Sequence, residues 1–205
     1  MTARPSVGVR IVLGMVDDPL VLPDVAAWRS WLDEHESSSD GVWLLLANKG
    51  TTTPTTLSYQ DALLEALASG WIDGQVKGYD AACHLQRFTP RRARSIWSQR
   101  NIGLVEQLAA DGRLRPRGQA EVDAAKADGR WARAYPGPAT AQVPPDLEAA
   151  LAASPAAAEL FARLKGQNRY AVLHRIATAP NDATRARRLE RLVAMLERGE
   201  TPYPQ

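Results

Sequence analysis

The sequence predicts an α+β fold that is mainly helical: a small antiparallel sheet flanked by helices, then an all-helical C-terminal segment. Three observations carry that reading. Val42-Trp43-Leu44-Leu45-Leu46 is a short apolar run between turn formers, the pattern of a buried strand. Trp71-Ile72 and residues 85–88 are two further strand-like stretches that can pair as a hairpin through Gly78-Tyr79-Asp80. Most of the remaining chain repeats its apolar residues at helical spacing behind a capping residue.

In chain order, the start around Arg4 and Pro5 has no pattern, and Val9, Ile11 and Leu13 alternate as a short strand would. Asp24 has the chemistry of an N-cap, and behind it Val25, Trp28 and Leu32 fall on one helical face with Trp31 beside them. Ser37-Ser38-Ser39-Asp40-Gly41 stops that helix. Ser58 caps a second helix with a stripe of Leu63, Leu64 and Leu67, and Gly70 is its expected C′ residue. Thr89-Pro90 reads as a third helix start, a capping hydroxyl before a proline at the first helical position. Trp97, Leu104 and Leu108 share its face, and Gly112 ends it. A weaker helix through Ala120, Val122 and Ala125 closes at Gly129, with Trp131 and Tyr135 as anchors.

Residues 136–145, PGPATAQVPP, have the composition of a linker, so the chain is expected to divide into 1–135, 136–145 and 146–205. In the last region Leu147, Ala150 and Leu151 mark one helix. Ser154-Pro155 opens another around Leu160, Phe161 and Leu164, with Gly166 as its cap. Tyr170, Leu173, Ile176 and Ala177 mark a third, ended by Pro180. Asp182 caps the last, where Leu189, Leu192, Val193 and Leu196 recur.

A formal net charge of only +2 gives no global argument for nucleic acid or membrane partners, so any basic patch must be local. The one cysteine, Cys83, excludes an internal disulfide and fits a reducing, cytoplasmic setting. No run approaches the roughly 20 apolar residues that a spanning helix needs, so membrane insertion is not expected. His35, His84 and His174 are far apart and no Cys/His spacing resembles a zinc site, so neither a metal nor a cofactor is expected.

Chemically capable residues concentrate in residues 70–101. Free N–H groups behind Thr89-Pro90, with Arg91, Arg92 and Arg94, would favour an anion at the helix start. Arginine forks match phosphate and carboxylate, and such charge-assisted bonds are worth about 1.5–3 kcal/mol each. The ligand-binding candidates are Arg87, Thr89, Arg91, Arg92 and Asp73, with Ser95, Trp71, Trp97 and Asn101 around them. The bland alternative pairs the arginines with Asp73, Asp80 or carboxylates of the helical half and leaves the tryptophans as core. Asp73 has the chemistry of a general base, yet no second carboxylate or histidine stands at a telling spacing. An Asp that accepts turn N–H bonds or pairs with Arg87 is the simpler expectation. Cys83 is expected as a small core residue. Arg185, Arg187, Arg188 and Arg191 form a basic face of the last helix that could touch nucleic acid, and pairing with Glu190 and Glu197 on a solvated surface is the preferred expectation.

The stretches WRSWLDEH, GVWLLLANK, LSYQDALLEALASGWIDG, RFTPRRARSIWSQRN, VPPDLEAALAASPAAAELF and TRARRLERLVAML resemble the bacteriocin-protection family, the YdeI/OmpD-associated proteins, over nearly the whole chain beyond the first twenty residues. The resemblance implies a protective association and not a defined reaction. Combined with the arginine cluster, it gives a non-enzymatic protein that binds an anionic small molecule or a protein partner. A nucleic-acid binder using the same arginines and tryptophans is the first alternative. An enzyme on a phosphorylated or carboxylated substrate, with Asp73 as base, is the second.

Overall fold

The computed structural model describes residues 19–204, so the strand expected around Val9 lies outside the described residues. Between Arg91 and Arg92 the chain divides into two compact units.

The first unit runs α1 (Val25–His35), β1 (Val42–Ala47), α2 (Tyr59–Ala68), β2 (Trp71–Gly78) and β3 (Cys83–Pro90). Both helix starts follow from their caps: Asp24 accepts the Ala27 N–H at 2.9 Å and Ser58 accepts the Asp61 N–H at 3.2 Å. Gly70, at φ 72°, ends α2 in the left-handed conformation that glycine adopts without strain. The three strands form an antiparallel sheet in the order β1-β3-β2, with the expected β2–β3 hairpin.

Trp28, Leu32, Leu44, Leu46, Leu63, Leu67, Trp71 and Phe88 are buried in this unit. The Trp28 ring lies 5.6 Å from Phe88 and meets Trp71 edge-on at 6.4 Å. Each buried indole also finds an acceptor: Trp28 donates to the Ala62 carbonyl and Trp71 to the Glu36 carbonyl, at 3.1 and 3.3 Å. Leu45, Cys83 and Leu85 form a smaller cluster with Trp43. Cys83 is therefore a core residue, and burial, followed by Asp80, pushes its thiol up.

The expected helix start at Thr89-Pro90 is not formed. Those residues end β3, where Thr89 pairs with Ile72 and Pro90 with Trp71. A proline is tolerated in that place because the last residue of a strand can dispense with its ladder donor. The helix begins instead at α3 (Gln99–Ala110), capped by Ser98, whose hydroxyl accepts the Asn101 N–H at 3.1 Å.

The second unit continues with α4 (Pro116–Ala127), α5 (Pro145–Ala152), α6 (Pro155–Arg163), α7 (Gly166–Ala177) and α8 (Asp182–Glu197). Two boundaries differ from expectation. Gly166 opens α7 and does not cap α6, which ends at Leu164 in extended backbone. Asn181, not Asp182, caps α8, with its side-chain oxygen accepting the Thr184 N–H at 2.8 Å. Leu147, Phe161, Leu164, Val172, Ile176, Leu192 and Leu196 share one core, and α8 packs on α5, α6 and α7. Residues 136–145 lie against this core through Ala141 and Val143, and the Tyr170 hydroxyl donates to the Pro136 carbonyl at 3.1 Å.

Gly41 is required by the close approach of β3. It sits at φ 121°, and an added Cβ would lie 2.5 Å from the Phe88 carbonyl oxygen and 2.7 Å from Thr89 Cγ2. Gly41→Ala should cost about 2 kcal/mol or more, read from the midpoint of urea unfolding with an unchanged slope.

Candidate functional site

The expected ligand residues fall into different environments. In the first unit Trp71 is a fully buried wall. Asp73 is half-buried, and its Oδ2 accepts the Tyr59 hydroxyl at 2.9 Å, neither a turn N–H nor Arg87. The register explains this: Asp73 stands opposite Phe88, so Arg87 and Thr89 project from the other face of β3. A bulge between Asp73 and Val76 separates the strands further, and the buried Gln86 amide fills it by donating to the Gly74 and Gln75 carbonyls at 3.0 and 3.2 Å. Arg91 is 5% exposed and its backbone N–H donates to the Gly70 carbonyl at 3.0 Å.

In the second unit Arg92 is exposed, and its N–H donates to the Ser95 hydroxyl at 2.9 Å, which closes a turn. The Ser95 carbonyl in turn accepts from Arg130 at 2.9 Å. Trp97 is buried against Trp131, with ring centroids 5.0 Å apart, and Asn101 is buried in the first turn of α3. Ser95, Trp97 and Asn101 thus make turn, packing and helix-start contacts here.

A cationic cleft that the sequence reading only half located lies between α7 and α8. His174, Arg175 and Thr178 of α7 and Arg188, Arg191, Leu192 and Met195 of α8 line about 480 Å³, and this lining contains no carboxylate. The arginines of α8 do not pair with Glu190 or Glu197 as expected. Arg185 forks onto Asp146 at 2.7 and 2.8 Å and also donates to the Ile176 carbonyl at 3.2 Å. Arg188 donates to the Arg175 carbonyl at 2.7 Å and to the Thr178 hydroxyl at 3.4 Å. The Arg175 carbonyl is thereby satisfied from the neighbouring helix, and the Ile176 carbonyl, which also accepts the Ala179 N–H at 3.2 Å, gains a second donor.

The Arg188 and Arg191 side of the cleft was visible as a basic helix face. His174 and Arg175 were missed; their signal was a His-Arg pair in the last turn of the preceding amphipathic helix. The His174 ring stands 4.7 Å from Tyr135 and 5.4 Å from Tyr170. Burial, then Arg188 and Arg175, hold its pKa below the ordinary imidazole value. Burial, then Tyr135, raises the Tyr170 phenol.

A histidine with a depressed folded pKa binds fewer protons in the native state than in the unfolded one. Its stabilising effect is complete above about pH 6.5 and shrinks as pH falls from there towards the folded value. The wild type should therefore lose more stability than His174→Gln between pH 7 and pH 5 in matched urea titrations.

Among the described residues no group of three or more His, Cys, Asp or Glu could hold a metal ion, and no helix is long and apolar enough to cross a membrane. Residues 20–121 match a domain of unknown function (DUF8412), which takes in the GWIDG and RFTPRR stretches. No curated protein and no solved structure matches the chain. Residues 140–199 match the family described as bacteriocin-protection, YdeI or OmpD-associated, and helices α5 to α8 with both walls of the cationic cleft lie inside that match. Over this C-terminal region the chain is thus similar to the bacteriocin-protection, YdeI/OmpD-associated family.

Proposed function

We propose that the protein is a non-enzymatic, protective binding protein that captures a phosphate- or carboxylate-bearing ligand, or an anionic partner surface, in the α7–α8 cleft. The observation that carries this is the lining itself: three arginines and a histidine around an open volume of about 480 Å³ with no acid among them. Like charges are held together there without internal compensation, and an anion that enters relieves their repulsion. The anion chemistry first attached to Arg87, Arg91 and Arg92 has its better support here, since the helix start that was to reinforce those residues does not exist. Catalysis by Asp73 has less support, because Tyr59 already occupies its carboxylate. The division at residues 136–145 is likewise proposed, and the start of the family match at residue 140 supports it. A reducing, cytoplasmic setting is proposed as well, and the single buried cysteine supports it.

Titration of the full chain with inorganic phosphate, pyrophosphate and ATP should show binding that strengthens with ligand charge. Arg188→Gln/Arg191→Gln should weaken it at least tenfold, as expected for two charge-assisted bonds. The ligand should also move the His174 imidazole signal towards its protonated position. No binding tighter than about 1 mM at low salt, or binding that ignores the double substitution, would sink the proposal. An oligonucleotide run in parallel separates nucleic-acid binding, which would fade steeply with salt.

A further inference from the structure

We infer that a second cavity of the same unit binds a small amphiphilic anion, a molecule with an apolar body and one terminal carboxylate. The cavity has a volume of about 300 Å³ and lies between residues 93–96, residues 128–133 and the end of α7. That volume is at the lower end of small-molecule sites. It is separate in chemistry from the α7–α8 cleft, although Thr178 borders both.

Part of the lining is aliphatic. Ile96, Ala177, Ala179 and Pro180 contribute side chains without a donor or acceptor. Ile96 is 48% exposed, a large apolar side chain left open to water at the cavity. Water gains little from such a surface, and an apolar body that covers it is favoured in proportion to the area removed.

The rest of the lining is largely cationic and partly rigid. Arg94, Arg130 and Arg133 surround the cavity with Asp128 as the single acid, so three guanidiniums face one carboxylate. Asp128 is already engaged: Arg130 Nε lies 2.7 Å from its Oδ2, and this contact holds the carboxyl below its ordinary range. Arg130 also donates to the Ser95 carbonyl at 2.9 Å, and Arg133 to the Asp128 carbonyl at 3.3 Å. The Arg130 fork is therefore anchored on both sides, and the charge left over in the lining is positive. A bare, fully hydrated anion would use the cationic part and waste the aliphatic part; a neutral apolar molecule would do the reverse. An alkyl or aryl carboxylate uses both.

Calorimetric titration of the full chain with acetate, hexanoate and octanoate, and with 1-octanol, tests this. Affinity should climb about fourfold per added methylene, the increment expected for burying one CH₂. Octanol should bind at least tenfold more weakly than octanoate. Ile96→Glu, a change at an exposed position, should abolish octanoate binding, and Arg94→Gln should weaken it several-fold. Arg188→Gln/Arg191→Gln should leave octanoate binding intact while removing phosphate binding, so the two sites can fail independently. Far-UV circular dichroism confirms that each variant is folded. Octanoate binding no tighter than acetate, equal binding of octanol, or indifference to Ile96→Glu would each overturn the inference.

Discussion

The C-terminal carbonyls of α7 need partners, and much of the second unit follows from how they find them. A helix leaves its last carbonyls without intrahelical donors. Here α8 answers from the side. Arg185 takes the Ile176 carbonyl while it forks onto Asp146 of α5, and Arg188 takes the Arg175 carbonyl. One helix end thereby joins three helices. The Arg188 contact also holds a guanidinium on the α7–α8 cleft, so the capping arrangement and part of its cationic lining have one cause.

The first unit solves a comparable problem with aromatic residues. Trp28 and Trp71 fill its core, but each brings an indole N–H that must be satisfied away from water. The Ala62 carbonyl of α2 and the carbonyl of Glu36, the C-cap of α1, accept them. These bonds set the depth and rotation of the rings. Close packing then requires β3 to run against Gly41 with no room for a side chain. Buried Glu65 is matched by Arg29 across α1 and α2, with both carboxylate oxygens engaged at 2.6 and 2.9 Å. Without Arg29 the carboxylate would be left buried and unmatched, which is the larger effect at such sites.

Local signals were legible wherever they did not compete with sheet pairing. Asp24 and Ser58 were readable as caps, Gly70 as a helix end and the strand pair as a hairpin, because each depends on a few adjacent residues. Thr89-Pro90 carries an equally good local cap signal, yet these residues extend β3 against Ile72 and Trp71 of β2, and that pairing outweighs one capping bond. The α8 cap slipped by one residue because Asn181 and Asp182 are both competent and adjacent. The links that shape the cleft were not legible at all. Arg185 and Asp146 lie 39 positions apart, and a basic helix face looks the same whether it points at water or at another helix. Asp73 and Arg87 are chemically suited to pair, and only the strand register shows that Asp73 on β2 and Arg87 on β3 project from opposite faces of the sheet.

Arg188 is a planar fork with one nitrogen already committed to α7. Whatever enters the cleft meets the remaining edge, which is flat and directional. A spherical ion such as chloride can touch that edge but cannot match it. Two oxygens held in one plane, as on a carboxyl or phosphoryl group, can. On the anion-binding reading proposed above, the helix contact that steadies the guanidinium would also act as a shape filter and discriminate among anions of similar charge by geometry alone.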